Sequence, residues 1–468
     1  DPTVMDVRPG SFMDFFSQED RRRGNVQPLP RLLVKSIPHR ETRTDVMSSL
    51  PAPIPEASVQ SHVVARKAQT ALNPIAVLVV VPTLDGGAAD AGAVELVRIL
   101  ASAGFRTIVV SRAGRLVADV TKAGSEFVPL DVSSNNPLLM LSNAIKLTRM
   151  ARDRKCRVIH AFGRAGAWSA FIAARLCGIP LVTSCYKGFR EQNIFKHFYN
   201  SIMARADHVI ASSEQIAQLI NDRYGTAWNK IAVVSCSIDL DRFDPDKVSR
   251  ERIEAIRSAW GVKRETKVIL ITGRILRRKG HHVVVKAVKR LKEMGLKDFL
   301  CVFVGEDRGR TRYTGELWDL VLSTGTMDVI RMAAPVADMP AAFAAASVIV
   351  SAAIQPEGVQ RAILEGQAMA RPVIVSDLGA GADVVLTAPA VPESRIAGFR
   401  FPSGDDAALA AALLRLFSMP ELNRATIGRR GRDWVLGHFN TAIVTEQTLR
   451  LYRDVAELSL RPDVPAQN

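Results

Sequence analysis

A chain of 468 residues with 47% hydrophobic residues is long enough for two or three domains with full cores. No apolar run reaches the ~18 residues a membrane-spanning helix needs, and no charged-then-apolar leader opens the chain, so a soluble, non-secreted, cytoplasmic protein is expected. The net charge of +15 and pI near 9.9 call for an anionic partner, whether nucleic acid, acidic phospholipid or a phosphorylated substrate. Nucleic acid is set aside, because no recognised motif or interleaved aromatic stripe accompanies the charge. The five cysteines, Cys156, Cys177, Cys185, Cys236 and Cys301, are scattered without the paired spacing of a zinc or redox site.

Residues 1–72 are rich in Pro, Ser, Arg and Asp and show no sustained period, which predicts a disordered extension dispensable for chemistry. At Ile75 a buried strand begins, ends at Pro82 and opens through Gly86-Gly87 into a helix over 91–103. Strands then recur at 107–110, 127–130, 158–160, 181–185, 208–211 and 231–234 with helices between, an alternation that predicts a parallel sheet covered on both faces over residues 73–245. The helix predicted over 141–154 carries a basic stripe of Lys146, Arg149, Arg152, Arg154 and Lys155, readable as a solvated face or as a dock for anionic lipid. His160 ends its strand either as a satisfied core histidine or facing a cleft.

A second domain, residues 246–440, opens with the strand Val268–Thr272 followed by Gly273-Arg274 and, five residues on, Lys279-Gly280 at a helix start. Two cations over one cleft, with a helix dipole behind them, suit a diphosphate. Further on, a strand at 348–350 runs into Pro356-Glu357-Gly358, then a helix over 359–369 and a strand at 373–375. Glu357 and Glu365 lie on roughly one face about 12 Å apart along the axis, which suits a ligand with hydroxyls at both ends. The free N–H groups from Gly358 through Val359 and Gln360 to Arg361 suit oxygens between them. Helices then continue to about Leu458, and residues 441–468 form a crossover helix and tail expected to return to the first domain.

This pattern resembles the retaining glycosyltransferases of the GT-B fold, family 4, which carry an E-x7-E motif within P-E-(G/A)-x-G-x-x-x-x-E-A-x-A-x-G-x-P-V. The chain matches at Pro356, Glu357, Glu365, Ala368, Pro372, Val373, Ser376, Asp377 and Gly379, and departs at Gln360, Gly366 and Ala370. The family's G-R-x-x-x-x-K-G matches at Gly273, Arg274, Lys279 and Gly280, and its interdomain segment at Asp239, Phe243 and Pro245. A Glu common two residues after the paired glycines is replaced by Ala89.

The resemblance implies an α/β protein of two Rossmann-like, doubly wound domains facing a central cleft. It implies a hexosyltransferase that moves a sugar with retention from a nucleotide-diphosphate donor to an oligosaccharide or lipid-linked acceptor, in lipopolysaccharide or other cell-surface glycan synthesis. Carried over residue by residue, it gives Glu357, Arg274, Lys279 and His160 catalytic roles, and donor contacts to Gly86, Gly87, Arg274, Lys279, Glu357, Gly358, Val359, Gln360 and Glu365. In the family's terms Arg274 and Lys279 take the electrostatic part a metal ion plays elsewhere, so no metal is expected, and no cofactor beyond the donor. An anionic membrane surface on the inner face of the plasma membrane is the expected further partner. The competing reading is a degenerate, non-catalytic GT-B protein that binds a sugar nucleotide or a membrane partner, suggested by Ala89, Gln360 and Ala370.

Overall fold

The computed structural model describes residues 75–186, 188, 193–307, 309, 311–355, 358–378 and 383–460. The expected extension over 1–72, together with Pro356, Glu357 and Gly379, lies outside the described residues, which belong to a single unit, Leu72–Asn468.

Seven parallel strands make the first sheet: β1 (Ala76–Val80), β2 (Arg106–Ser111), β3 (Glu126–Pro129), β4 (Cys156–Phe162), β5 (Leu181–Cys185), β6 (His208–Ala211) and β7 (Ile231–Val233). Between them run α1 (Ala88–Ser102), α2 (Val117–Lys122), α3 (Pro137–Asp153), α4 (Arg164–Cys177), α5 (Ile194–Ser201) and α6 (Glu214–Tyr224). Successive side chains of a strand point to opposite faces, and a parallel sheet buries both, so β1 reads as an unbroken apolar run. Leu78 and Val80 join one core with Ile108, Ile159 and the Ala167–Ala170–Ala173 stripe of α4. Val77 and Val79 join the other with Val97, Leu100 and Phe162.

The second sheet has six parallel strands: β8 (Lys267–Thr272), β9 (Phe299–Val304), β10 (Ile330–Ala333), β11 (Val348–Ser351), β12 (Val373–Ser376) and β13 (Gly398–Phe401). Its helices are α7 (Arg250–Ala259), α8 (His281–Glu293), α9 (Thr311–Ser323), α10 (Met339–Ala345), α11 (Arg361–Ala368), α12 (Asp406–Ser418) and α13 (Glu421–His438), after which α14 (Thr441–Leu460) closes the chain.

The strand orders are β3-β2-β1-β4-β5-β6-β7 and β10-β9-β8-β11-β12-β13. Both halves are therefore doubly wound and Rossmann-like, and each reverses its winding once, between β1 and β4 or between β8 and β11. Such reversals part the loops at the carboxyl edge and leave a crevice for a ligand. The loops after β1, β8 and β11 are the ones that carry the sequence motifs.

Two passes of chain join the halves. Ile238 N donates to the Phe439 carbonyl at 2.9 Å, and Ile238 bridges Asn440, so the outgoing and returning segments run side by side. Helix α14 then packs Leu451, Tyr452 and Val455 into the core that holds Val77 and Val79.

Three helix starts differ from expectation. Helix α1 begins at Ala88 rather than near 91, because Gly87 is extended and its N–H donates to the Asp90 side chain at the third helical position. Helix α3 begins at Pro137 rather than near 141, because the Asn136 side chain accepts from Leu138 N at 2.9 Å and proline takes the first turn, where its missing N–H costs nothing. Helix α11 begins at Arg361 rather than Val359, because Gln360 is extended and its Oε1 accepts from Ser351 Oγ at the end of β11.

Ala370 sits at φ +53°, where the family pattern has glycine. A left-handed backbone costs a residue with a Cβ about 1–2 kcal/mol, and glycine returns about 0.5–1 of this through its freer unfolded chain. Ala370→Gly should therefore raise the unfolding free energy by about 0.5–1 kcal/mol. Chemical denaturation checks this; a lowered midpoint at unchanged m-value would contradict it.

Candidate active site

The loop between β1 and α1 is built around a carboxylate. Asp90, buried at the third position of α1, accepts through Oδ2 from Thr83 Oγ1 (3.2 Å), Asp85 N (3.1 Å), Gly86 N (3.0 Å) and Gly87 N (2.9 Å). Gly86 has φ +100°, a conformation glycine alone adopts without strain. The Gly86 and Gly87 amides, expected to approach a phosphate, are thus turned onto Asp90. The carboxylate sits where free N–H groups and the helix dipole favour negative charge.

One face of α1 meets the rest of the site. A Cβ on Gly92 would lie 2.1 Å from Tyr186 Oη, so the tyrosine after β5 fits only because position 92 is bare. One turn further, Glu95 Oε1 accepts from Ser237 N at 2.8 Å, and its other oxygen lies 3.9 Å from the Arg361 guanidinium.

In the second domain, close backbone approach shapes the loop after β8. A Cβ on Gly280 (φ +72°) would stand 1.7 Å from the Ala352 carbonyl, and one on Gly305 would stand 1.9 Å from the Gly273 carbonyl. The ends of β8, β9 and β11 are drawn together at these two points. Lys279, in the turn before α8, has its pKa pushed down to about 8 by burial and by the neighbouring Arg278 and Arg274. Three cations therefore crowd one loop, with the start of α8 behind them.

The loop after β11 presses against the first domain. A Cβ on Gly358 would lie 1.9 Å from the Tyr186 carbonyl and 3.2 Å from Ser212 Oγ. Ser212 is buried and its hydroxyl has no partner among the described residues. Val359 packs against the apolar core of the second domain, and Gln360 is engaged with Ser351. Burial raises the Glu365 pKa, while Arg361, 3.7 Å away, and Arg242 work in the opposite direction. Gln215 Nε2 adds a bond across the halves to Asp383 Oδ1 at 2.9 Å.

Arg274, Lys279 and Gly358 thus lie at the carboxyl edge of the second sheet, Glu365 stands one turn into α11 beside Arg361, and Gly86 and Gly87 lie at the corresponding edge of the first. Glu357 falls outside the described residues. His160 corrects its expected catalytic placement: it is fully buried, with Tyr452 Oη 2.6 Å from Nδ1 and Ser184 Oγ 2.8 Å from Nε2, and burial holds its pKa down to about 3. A neutral ring with both nitrogens occupied holds α14 to β4 rather than touching substrate. Asp90, Glu95, Tyr186, Ser212 and Arg361 were missed as side chains by sequence reasoning. Among the described residues, no three His, Cys, Asp or Glu side chains cluster as metal ligands, and no helix is long and apolar enough to cross a membrane.

The family model described as Glycosyltransferase Family 4 matches residues 89–242, and that described as Glycosyl transferases group 1 matches residues 266–419. A D-inositol 3-phosphate glycosyltransferase of Thermobifida fusca is 31% identical over 237 residues, covering 46% of this chain and 52% of the relative. The chain spans about half the length of the curated relatives it matches. Among solved structures, a glycosyltransferase from Rickettsia africae ESF-5 superposes with a TM-score of 0.73 at 26% identity, over 82% of this chain and 99% of that one. WaaG, a glycosyltransferase involved in lipopolysaccharide biosynthesis, shares the fold with a TM-score of 0.60 at 15% identity, over 82% of this chain and all of its own. The two family models occupy one Rossmann-like half each, and on that basis the chain belongs to the family 4 glycosyltransferases of GT-B fold.

Proposed function

We propose that the protein transfers a hexose, with retention, from a nucleotide-diphosphate sugar to an oligosaccharide or lipid-linked acceptor, with no metal ion. The observation that carries this reading is the crowding of Arg274, Arg278 and Lys279 at the carboxyl edge of β8. Cations that repel one another in a partly desolvated loop gain most from a ligand carrying two phosphates. In this reading Glu365 grips the ribose hydroxyls, Glu357 acts at the sugar, and the cations stabilise the charge that builds on the departing diphosphate. The acceptor hydroxyl attacks the anomeric carbon from the face the diphosphate leaves. Its oxygen bonds to that carbon as the carbon–phosphate oxygen bond breaks, and its proton passes to the leaving phosphate, so no protein nucleophile is required. A lipid-linked acceptor at an anionic membrane of the cell envelope suits the net charge of +15. The names of the relatives direct acceptor screening to inositol phosphates and lipopolysaccharide precursors.

Donor turnover should persist in excess EDTA. It should fall roughly tenfold to a hundredfold in Lys279→Ala, the cost of one charged hydrogen-bonding partner. Complete loss in EDTA, restored by Mg²⁺, would overturn the reading.

The two glutamates should separate in calorimetry with the free nucleoside diphosphates of uridine, guanosine and adenosine. Glu365→Ala should weaken binding of the preferred one roughly tenfold to a hundredfold, whereas Glu357→Ala should spare that binding and depress donor turnover. The opposite pattern would reverse the two roles.

Lys279 also predicts a pH dependence. Its pKa is near 8 in the free protein, and a bound diphosphate would raise it, so binding above pH 8 takes up a proton. Affinity should be flat below that point and should then fall by up to about tenfold per pH unit as pH rises. Calorimetry at about pH 7 and about pH 9 tests the sign, and Lys279→Arg, charged throughout, should flatten the profile. Affinity that rises with pH would exclude Lys279 from the diphosphate site.

A further inference from the structure

In the first domain α3, α4 and α5 each follow a parallel strand, so all three begin at the carboxyl edge of the sheet, the edge that meets Gly358. There the molecule turns large apolar side chains outward. Leu138, Leu139 and Leu141 of α3 are 77, 52 and 50% exposed, and Ile194, Phe195 and Phe198 of α5 are 76, 82 and 55% exposed. The two helices are tied into one face. Tyr199 Oη donates to Asn135 Oδ1 at 2.6 Å, Trp168 Nε1 of α4 donates to the Tyr199 carbonyl at 3.1 Å, and the Trp168 and Phe198 rings lie 5.3 Å apart. Ser169 Oγ of α4 donates to the Met140 carbonyl at 3.0 Å and fixes α3 from the same side. Single exposed leucines are ordinary, but six large apolar groups gathered on one tethered face are not.

Among the described residues of α3 and α5 the charge is mostly positive. Helix α3 carries Lys146, Arg149 and Arg152 beyond its leucines and a single acid, Asp153, at its last position, and α5 has no acid. Arg152 is committed to the Leu176 carbonyl at 2.7 Å and Arg154 to Glu126, so the cations of α3 that face outward are Lys146 and Arg149. A second copy of the chain laid on this face would bring like charges together. A layer of lipid phosphates would not.

We propose that this face inserts into the headgroup layer of an anionic bilayer, with Leu138, Leu139, Ile194 and Phe195 entering the acyl boundary and Lys146 and Arg149 meeting lipid phosphates. This deepens the membrane part of the function proposed above and rests on that reading only for the acceptor, which the bilayer would present to the carboxyl edge of the sheet. Apolar insertion carries the binding, and the cations select the lipid.

The test is flotation of the full chain with vesicles of phosphatidylcholine alone and of phosphatidylcholine with phosphatidylglycerol, beside light scattering for oligomeric state and calorimetry with nucleoside diphosphates. The wild type should float with the anionic vesicles. Leu138→Ser and Phe195→Ser together should cut that partition at least about tenfold while leaving nucleoside diphosphate affinity and melting temperature unchanged. Lys146→Gln with Arg149→Gln should erase the preference for the anionic vesicles. Failure of the wild type to float, flotation of the serine variant equal to wild type, or a wild-type dimer that the serine variant abolishes would each overturn the docking proposal. Flotation without nucleoside diphosphate binding would leave the docking face standing and remove the transferase reading instead.

Discussion

The junction of the two halves depends on a guanidinium in an unfavourable place. Arg361 is the first residue of α11, the end of a helix where free N–H groups and the backbone dipole favour an anion. Burial also works against its charge, yet Glu365 and Glu95 draw its pKa upward, and it stands above the ordinary arginine value. Glu365 comes from the same helix one turn on, and Glu95 comes from α1 of the other half while accepting from Ser237 N in the connecting segment. Carboxylates from both domains are thus needed to keep one cation in place. A partly buried charge that loses a partner is costly, so separating the halves or neutralising Glu365 disturbs the same small group of charges.

Most of the architecture was legible because buried parallel strands leave a coarse mark. Five or six apolar residues in a row, each run followed by a helix-length segment, specify the alternation, and the observed strands match the expected ones to within a residue or two at β2, β5 and β6. The starts of α3 and α11 were not legible. Asn136-Pro137 reads locally as a turn, and its capping role appears only when the Asn136 side chain is seen to accept from Leu138 N. Gln360 lies in a helical pattern, but its bond to Ser351 holds it extended, and that partner is nine positions away.

The site divides along the same line. Arg274, Lys279 and Glu365 were legible because each belongs to a short pattern with its own chemistry. Asp90, Glu95, Tyr186, Ser212 and Arg361 have no such pattern. Their importance comes from meetings across the fold, such as Tyr186 over Gly92 or Gly358 against the Tyr186 carbonyl. His160 shows the limit from the other side. A histidine at a strand end can face a ligand or the core, and here Tyr452, 292 residues later in the chain, decides for the core.

The departures from the family pattern bear on whether the second domain is intact. Gly366 stands where alanine is usual, and a Cβ there would lie 2.7 Å from Ile349 Cγ1, so the smaller residue accommodates a β-branched neighbour on β11. Ala370 takes a left-handed backbone without the glycine that usually supports it, and its carbonyl is approached by Gly428, where a Cβ would lie 2.0 Å away. Gln360 replaces a glycine and gains a hydrogen bond to Ser351. The changes at Gln360 and Gly366 are each met by a specific partner inside the second domain, that at Ala370 leaves its backbone strain in place, and none removes a charged group from the carboxyl edge. Arg278 and Arg274 both act to lower the Lys279 pKa, so the loop after β8 keeps three cations close together. Their joint presence in one loop therefore weighs against a degenerate donor site more than the altered glycines weigh for it.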